Sequence, residues 1–452
     1  MPVRPVDLAC TGVAACHHGI KRTTLATIPV IVALTYWQAS GAYFIEDDFQ
    51  WLVSAWYFDP AKLVDFGRYN HFYRPIVEVY FYLTVKAFGH SVPAFHWAAI
   101  LLHALNGLIV FGMMQTIADD DTFAAFAAII FVVLPGFVDA VAWVGAIAEP
   151  LSTLFYCLTL WLFLLYLRSR RRDCYIVAIG TFALALITHE GATTLLIMMV
   201  LVGWFARFFR GALGRQPGAI QQLVDYVPFA IVLAAYLMID FSINSRNYVV
   251  AEASNRLAFE GYYGFSGHVL TNVLDYIVSL YIGKRILASY VAIITATVIL
   301  LRKGSALARL AVLWILITLL PFAVFIWGNT SRYLYLPAIG FAMLFAEGMV
   351  AIDRLVAVRL SSRWRLAVVS MIFMTVFVRF LVFTTRGVQD FVARTAAYRN
   401  YIDTFRADHS QLQSGALVRV PIPHDRRLHK TYLEPLVQWE YRDPTIRLQL
   451  ME

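Results

Sequence analysis

Three consecutive carboxylates, Glu46-Asp47-Asp48, close an apolar run over residues 24–45 and are flanked by Phe44, Phe49 and Trp51. Mutual repulsion and a low local dielectric raise the pKa of at least one of them. A carboxylate poised in this way takes a proton from a hydroxyl, or binds a divalent cation, for which Asp48 is the candidate ligand. Asp47 with Gln50 three residues on also fits a helix capping box, in which Asp47 would satisfy the first free amides of a helix running through Trp51 and Trp56.

Further ionisable groups stand at the ends of other apolar runs: Arg74 in Tyr73-Arg74-Pro75, Glu149, the pair His189-Glu190, Lys284-Arg285, and Arg332 beside Tyr333 in Ser331-Arg332-Tyr333-Leu334-Tyr335-Leu336-Pro337. Charges near a bilayer cost several kcal/mol unless paired or hydrated, so each needs a reason. Arg74, Arg332, Arg285 and Lys284 suit a phosphate through charge-assisted hydrogen bonds, and arginines also serve as interfacial anchors. Glu46, Glu149, His189, Glu190 and Tyr333 are candidates for substrate contact, although His189-Glu190 also suits a helix cap. His96 and His103, seven apart on one helical face, read as hydrogen-bonded packing residues.

The elements that must hold these groups are set by composition. Of 452 residues 60% are hydrophobic and only 15% charged, with 33 Phe, 24 Tyr and 11 Trp, and the mean hydropathy is +0.66. Soluble domains carry about 25% charge, so a water-soluble enzyme is excluded, as is a disordered chain. The expected class is an all-α polytopic membrane protein. Eleven spans are expected, at 24–45, 93–117, 121–136, 150–168, 174–188, 191–209, 223–243, 286–302, 306–327, 333–352 and 365–385. The net charge of +8 lies in short clusters between spans, as topology determinants do, and not in a nucleic-acid-binding patch. Those clusters share one side if 269–285 lies in the interface, where its amphipathic spacing places it. The reading is then a cytoplasmic segment 1–23, a transmembrane domain 24–385 with outer loops 46–92 and 244–285, and an extracytoplasmic polar tail 386–452. Pro75 to Phe88 reads as a helix lying against the membrane.

All the candidate residues then gather at the outer face. No nucleotide sugar or ATP is supplied there, so an enzyme on that side draws its donor from the membrane as a lipid-linked group. Attack by a hydroxyl on an anomeric carbon needs one base, while a phosphate leaving group needs no acid, so one carboxylate suffices, unlike the pair used in glycoside hydrolysis. Asp47 is the expected base. Asp48 orients it, caps, or binds a cation. The competing classes are a transporter or flippase, for which an inverted repeat and midplane acids are lacking, and a polysaccharide polymerase or ligase.

The motifs Glu46-Asp47-Asp48-Phe49, Tyr73-Arg74-Pro75-Ile76, Phe95-His96-Trp97 through His103-Ala104-Leu105-Asn106, Asp139 to Trp143 with Glu149-Pro150-Leu151-Ser152, Thr188-His189-Glu190-Gly191 and Ser331 to Pro337 occur in that order. In this the chain resembles GT-C glycosyltransferases, specifically bacterial relatives of the protein O-mannosyltransferases and of the transmembrane tetratricopeptide-repeat family, over most of residues 30–350. The resemblance implies a GT-C fold in a bacterial inner membrane. It also implies inverting transfer from a polyprenyl-phosphate sugar to a protein, glycan or lipid hydroxyl, with Asp47 and Asp48 matching the family's acids. Some members use a divalent cation such as Mg2+ or Mn2+. Two departures concern the donor headgroup: Ala146-Ile147-Ala148 are apolar where relatives carry a basic residue before the acid matching Glu149, and His189 stands where lysine is common. No tetratricopeptide repeats follow.

Overall fold

The computed structural model describes residues 7–69, 72–208, 223–254, 267–281, 283, 285–324, 330–425 and 427–451. Each of the eleven expected segments falls on helix. Among the described residues, five helices are long and apolar enough to cross a membrane by themselves: Val92–Ala118, Val144–Ser169, Glu190–Arg207, Ala306–Ala323 and Ser362–Asp408. A sixth span results if the bent pair Asp121–Val133 and Pro135–Ala142 crosses as one. The remaining expected spans are helices that are shorter or carry more charge. The chain is an integral membrane protein of the all-α class.

The centre of the bundle is α1 (Asp7–Tyr36) packed on α4 (Val92–Ala118) and α5 (Asp121–Val133), with α2 (Asp48–Ser54) and α3 (Pro75–Phe88) lying between α1 and α4 in sequence. Local chemistry sets these boundaries. Pro75 opens α3, at a position where its missing amide costs nothing, and Gly89 at φ 58° ends it. Asp119 adopts the left-handed conformation to stop α4, and Asp120 caps α5 by accepting from the amides of Thr122 and Phe123 at 2.8 and 3.0 Å. Pro135 then prevents α5 from continuing, and the chain bends by 49° into α6 (Val138–Ala142). That bend leads into the segment carrying Trp143 and Gly145, ahead of α7 (Ala148–Ser169).

The second half adds α8 (Arg172–Leu186) against α7, then α9 (Leu195–Phe208), α10 (Val227–Ser254), α11 (His268–Tyr281), α12 (Leu287–Lys303), α13 (Ala306–Ala323) and α14 (Ala338–Ala357), which packs back on α5. The expected helix at 268–285 is present as α11. The last helix, α15 (Ser362–Asp408), runs through the apolar stretch and out into the polar tail. Beyond it, β1 (Leu417–Pro421) pairs in parallel with β2 (Arg447–Met451), and α16 (Leu433–Tyr441) connects them.

The tail is fastened to the segment between α1 and α4. The Tyr43 amide donates to Thr395 Oγ1 at 3.0 Å and the Tyr43 hydroxyl donates to Glu440. Trp439 stacks on both Trp56 and His90, with ring centroids 5.3 and 4.0 Å away, and meets the edge of Phe44. Tail and acidic turn therefore occupy the same end of the molecule.

Candidate active site

The acidic turn is built under strain. Glu46 sits at φ 48°, a conformation that non-glycine residues rarely adopt, and it reverses the chain between Ile45 and α2. Asp47 occupies the N-cap position of α2 but makes no side-chain capping bond. The capping-box alternative fails: its carboxylate points elsewhere. Asp48 is 1% exposed, and its Oδ2 accepts from the Ile45 amide at 2.8 Å. Asp47 Oδ1 and Asp48 Oδ1 are both buried with no hydrogen-bond partner, and so is the indole Nε1 of Trp143.

These atoms converge on Gly145. A Cβ there would stand 2.6 Å from Asp47 Oδ1, 2.8 Å from Asp48 Oδ1 and 3.1 Å from Trp143 Nε1. Only glycine allows the two carboxylates to rest against the 143–147 segment. Burial pushes the Asp47 carboxyl up to about 6, with Arg332 opposing, Glu46 adding to it and Arg74 opposing. Asp48 is raised well above the usual carboxylate range by burial and by Asp47, against the amides of Ile45 and Gly145. Asp47 is therefore the member of the pair that ionises first, and Asp48, raised further, is the more acid-like of the two.

A basic wall faces the turn. Arg332 lies over the Trp143 ring at 4.9 Å and the Tyr333 ring at 5.3 Å. Arg74 makes a two-pronged contact with Glu190, Nε to Oε2 at 3.0 Å and Nη2 to Oε1 at 2.6 Å, both side chains mostly buried. His189 Nε2 is 3.3 Å from Glu149 Oε1 and 3.7 Å from Glu190 Oε1, while its Nδ1 accepts from the Gly191 amide at 3.1 Å. The capping role expected for His189 is thus present together with the ion-pair role. The absent basic residue before Glu149 is replaced from other elements, by His189 and by the fields of Arg74 and Arg332.

The fold thus brings Glu46, Asp47, Asp48, Arg74, Glu149, His189, Glu190, Arg332 and Tyr333 into one constellation drawn from five separate segments. Arg285 contacts other residues instead, 3.6 Å from Asp275 and 3.4 Å from Ser279 of the preceding helix α11, and Lys284 lies outside the described residues. His96 Nδ1 pairs with the Ala142 carbonyl at 3.0 Å, and His103 with Tyr335 at 2.6 Å and the Val132 carbonyl at 3.1 Å. Both are packing residues. Sequence reasoning missed Trp143, Gly145, Tyr276 and the link Ser331–Asp139–Arg394, in which Asp139 accepts from Ser331 at 2.9 Å and pairs with Arg394. Tyr276 is buried, and burial raises its phenol, with Tyr333 adding to the shift. The signal available for Gly145 was a lone glycine at a break between two apolar helices.

A divalent cation on Asp48 does not suit this donor set. Among the described residues no three His, Cys, Asp or Glu side chains come together as metal ligands. The groups that complete the surroundings of Asp47 are two guanidiniums, and an indole N–H stands beside both acids; these repel a cation or cannot ligate it.

No family model matches the sequence, and no curated protein matches it. Solved structures do share its fold. ArnT from Cupriavidus metallidurans bound to undecaprenyl phosphate superposes with a TM-score of 0.52 at 11% identity, covering 94% of this chain and 85% of that one. The oligosaccharyltransferase of Archaeoglobus fulgidus, tethered with an acceptor peptide containing the NVT sequon, gives a TM-score of 0.52 at 13% identity. That match covers 95% of this chain and 63% of the archaeal one, so the chain spans under two thirds of that enzyme's length. The architecture is the GT-C fold expected from the ordered motifs.

Proposed function

We propose that this chain is a glycosyltransferase of the GT-C type that moves a sugar from a polyprenyl-phosphate donor to a hydroxyl acceptor at the outer face of the membrane, with inversion. The observation that carries the reading is the buried, unpartnered Oδ1 of Asp47, on a carboxyl whose pKa lies at about 6, with Arg332 beside it. A lone base next to a cationic anchor is what displacement of a phosphate by an alcohol requires.

In the reaction, the acceptor oxygen forms a bond to the anomeric carbon as the bond from that carbon to the phosphate oxygen breaks. The electron pair leaves with the polyprenyl phosphate, and the acceptor proton passes to Asp47 Oδ1. Asp48, whose carboxyl is raised by burial and by Asp47, resists a second charge beside the base. Arg332, stacked on Trp143 and Tyr333, meets the charge that develops on the departing phosphate. Arg74 is engaged by Glu190 and serves mainly to hold the wall in place. Glu149 and His189 face the donor sugar. No step is routed through a metal.

The purified protein in nanodiscs, incubated with radiolabelled polyprenyl-phosphate sugars and an extract of hydroxyl acceptors, transfers label from at least one donor. Retention of every label on its lipid carrier would contradict the reading. The undecaprenyl phosphate bound to the ArnT structure supports a lipid-phosphate donor.

A further inference from the structure

A second cavity adjoins the acidic turn and takes no part in the chemistry above. It measures about 280 Å3, and its walls are Glu46 with Arg394 and Tyr398 of α15 and Arg427, His429 and Tyr432 of the tail. That volume is near the lower end of the roughly 300–1,000 Å3 of small-molecule sites. Glu46 is shared between cavity and dyad, since it lines the cavity while its charge acts on Asp47 and Asp48. A second connection runs through Asp139, which holds Arg394 on the cavity side and Ser331, next to Arg332, on the other.

We propose that this cavity is the acceptor subsite and that its ligand is a sugar ring. The inference rests on the glycosyl-transfer reading and names the class of acceptor. Three features of the walls select it. Ile45 is the one aliphatic side chain lining the space, so an acyl chain gains little by entering. Both arginines are already paired, Arg394 with Asp139 and Arg427 with Asp425 through Nε and Nη2, which neutralises their charge and leaves further N–H donors. A free anion is therefore disfavoured relative to neutral hydroxyls. Tyr398, Tyr432 and His429 supply ring faces for the C–H side of a pyranose, while the guanidiniums and Glu46 supply fixed donors and acceptors for vicinal hydroxyls. Glu46 is the residue common to the two: its carboxylate lines the cavity, its charge acts on the next residue, Asp47, and its left-handed backbone makes the turn between them.

The test uses the full chain in nanodiscs without donor, so that it reads binding alone. The protein is irradiated with a diazirine-bearing neutral disaccharide or with a diazirine-bearing fatty acid, and labelled peptides are mapped by mass spectrometry. The disaccharide probe labels peptides containing residues 394–398 or 427–432, excess unlabelled disaccharide competes it away, and Arg427→Glu lowers labelling about tenfold. Arg427 is exposed, and an unchanged thermal midpoint for the variant confirms an intact fold. Labelling of these peptides by the fatty acid, no competable labelling by the sugar, or full labelling of Arg427→Glu each overturns the assignment. Sugar labelling without any transfer in the donor assay would overturn the reaction and leave the subsite standing. Transfer without sugar labelling would do the reverse.

Discussion

The two walls of the site differ in how completely their polar atoms are satisfied. Around Arg74 and Glu190 the charges meet in bidentate geometry, and the one buried atom there without a hydrogen bond, His189 Nε2, still lies 3.3 Å from Glu149 and 3.7 Å from Glu190. Around Asp47, Asp48 and Trp143 three buried side-chain atoms, two carboxylate oxygens and the indole nitrogen, lack a hydrogen-bond partner. Buried groups that lack partners cost about 1–3 kcal/mol each, and more when charged, so three of them side by side call for an explanation. In the proposed reaction the paired wall positions and the unpaired wall receives the reacting hydroxyl.

That contrast can be broken from either side. Asp47→Asn removes the base from the unpaired wall. Transfer should fall about 10³-fold while the protein becomes more stable. The sign follows from the raised pKa: between the ordinary carboxyl value and about 6 the folded state binds more protons than the unfolded one, so stability drops as pH rises through that window, by about 3 kcal/mol at completion. Asparagine lifts that penalty, and a higher thermal midpoint at pH 7 together with lost turnover checks both halves. Arg332→Ala takes away the charge meeting the phosphate and should cost about 10²-fold in kcat with a weaker donor KM. Steady-state kinetics with varied donor separates these from a mere anchoring role, which would leave donor dependence untouched.

Glu190→Ala acts on the paired wall, where it leaves Arg74 buried without its partner. The expected loss is about 3 kcal/mol of stability, measured by thermal unfolding in detergent, the reverse of the Asp47 result. Gly145→Ala sharpens the comparison at smaller scale. The added methyl group must displace both carboxylates, and a shift of this kind costs about 10²-fold in rate while substrate affinity and folding remain near normal. Equal losses of stability from Glu190→Ala and Asp47→Asn would remove the distinction between the walls.

Much of the fold was legible because helix signals are local. Apolar periodicity located each helical segment, Pro75 marked the start of α3, and the amphipathic spacing after His268 marked α11. What was not legible depends on contacts between distant segments. The capping-box spacing of Asp47 and Gln50 is real in the sequence, yet the left-handed Glu46 turns the Asp47 carboxylate towards Gly145, nearly a hundred residues away. Arg285 looked like a phosphate ligand from its position after α11, but Asp275 two to three turns earlier captures it. The tail read as a small polar appendage, because nothing in its own composition reveals that Trp439 would stack on Trp56 and His90, which lie between α1 and α4. The apolar Ala146-Ile147-Ala148 break from the family pattern was visible, whereas its compensation by His189 required the three-dimensional arrangement.

The most direct test of the central claim is the single-turnover rate of sugar transfer by the wild-type protein as a function of pH. If Asp47 accepts the proton, the rate rises about tenfold per pH unit at low pH, bends at about pH 6 and is flat above it. A rate that is independent of pH from 4 to 8 on the scale of carboxyl and imidazole titration, or one that bends at the ordinary value of an exposed carboxylate, would contradict the assignment of that buried aspartate as the base.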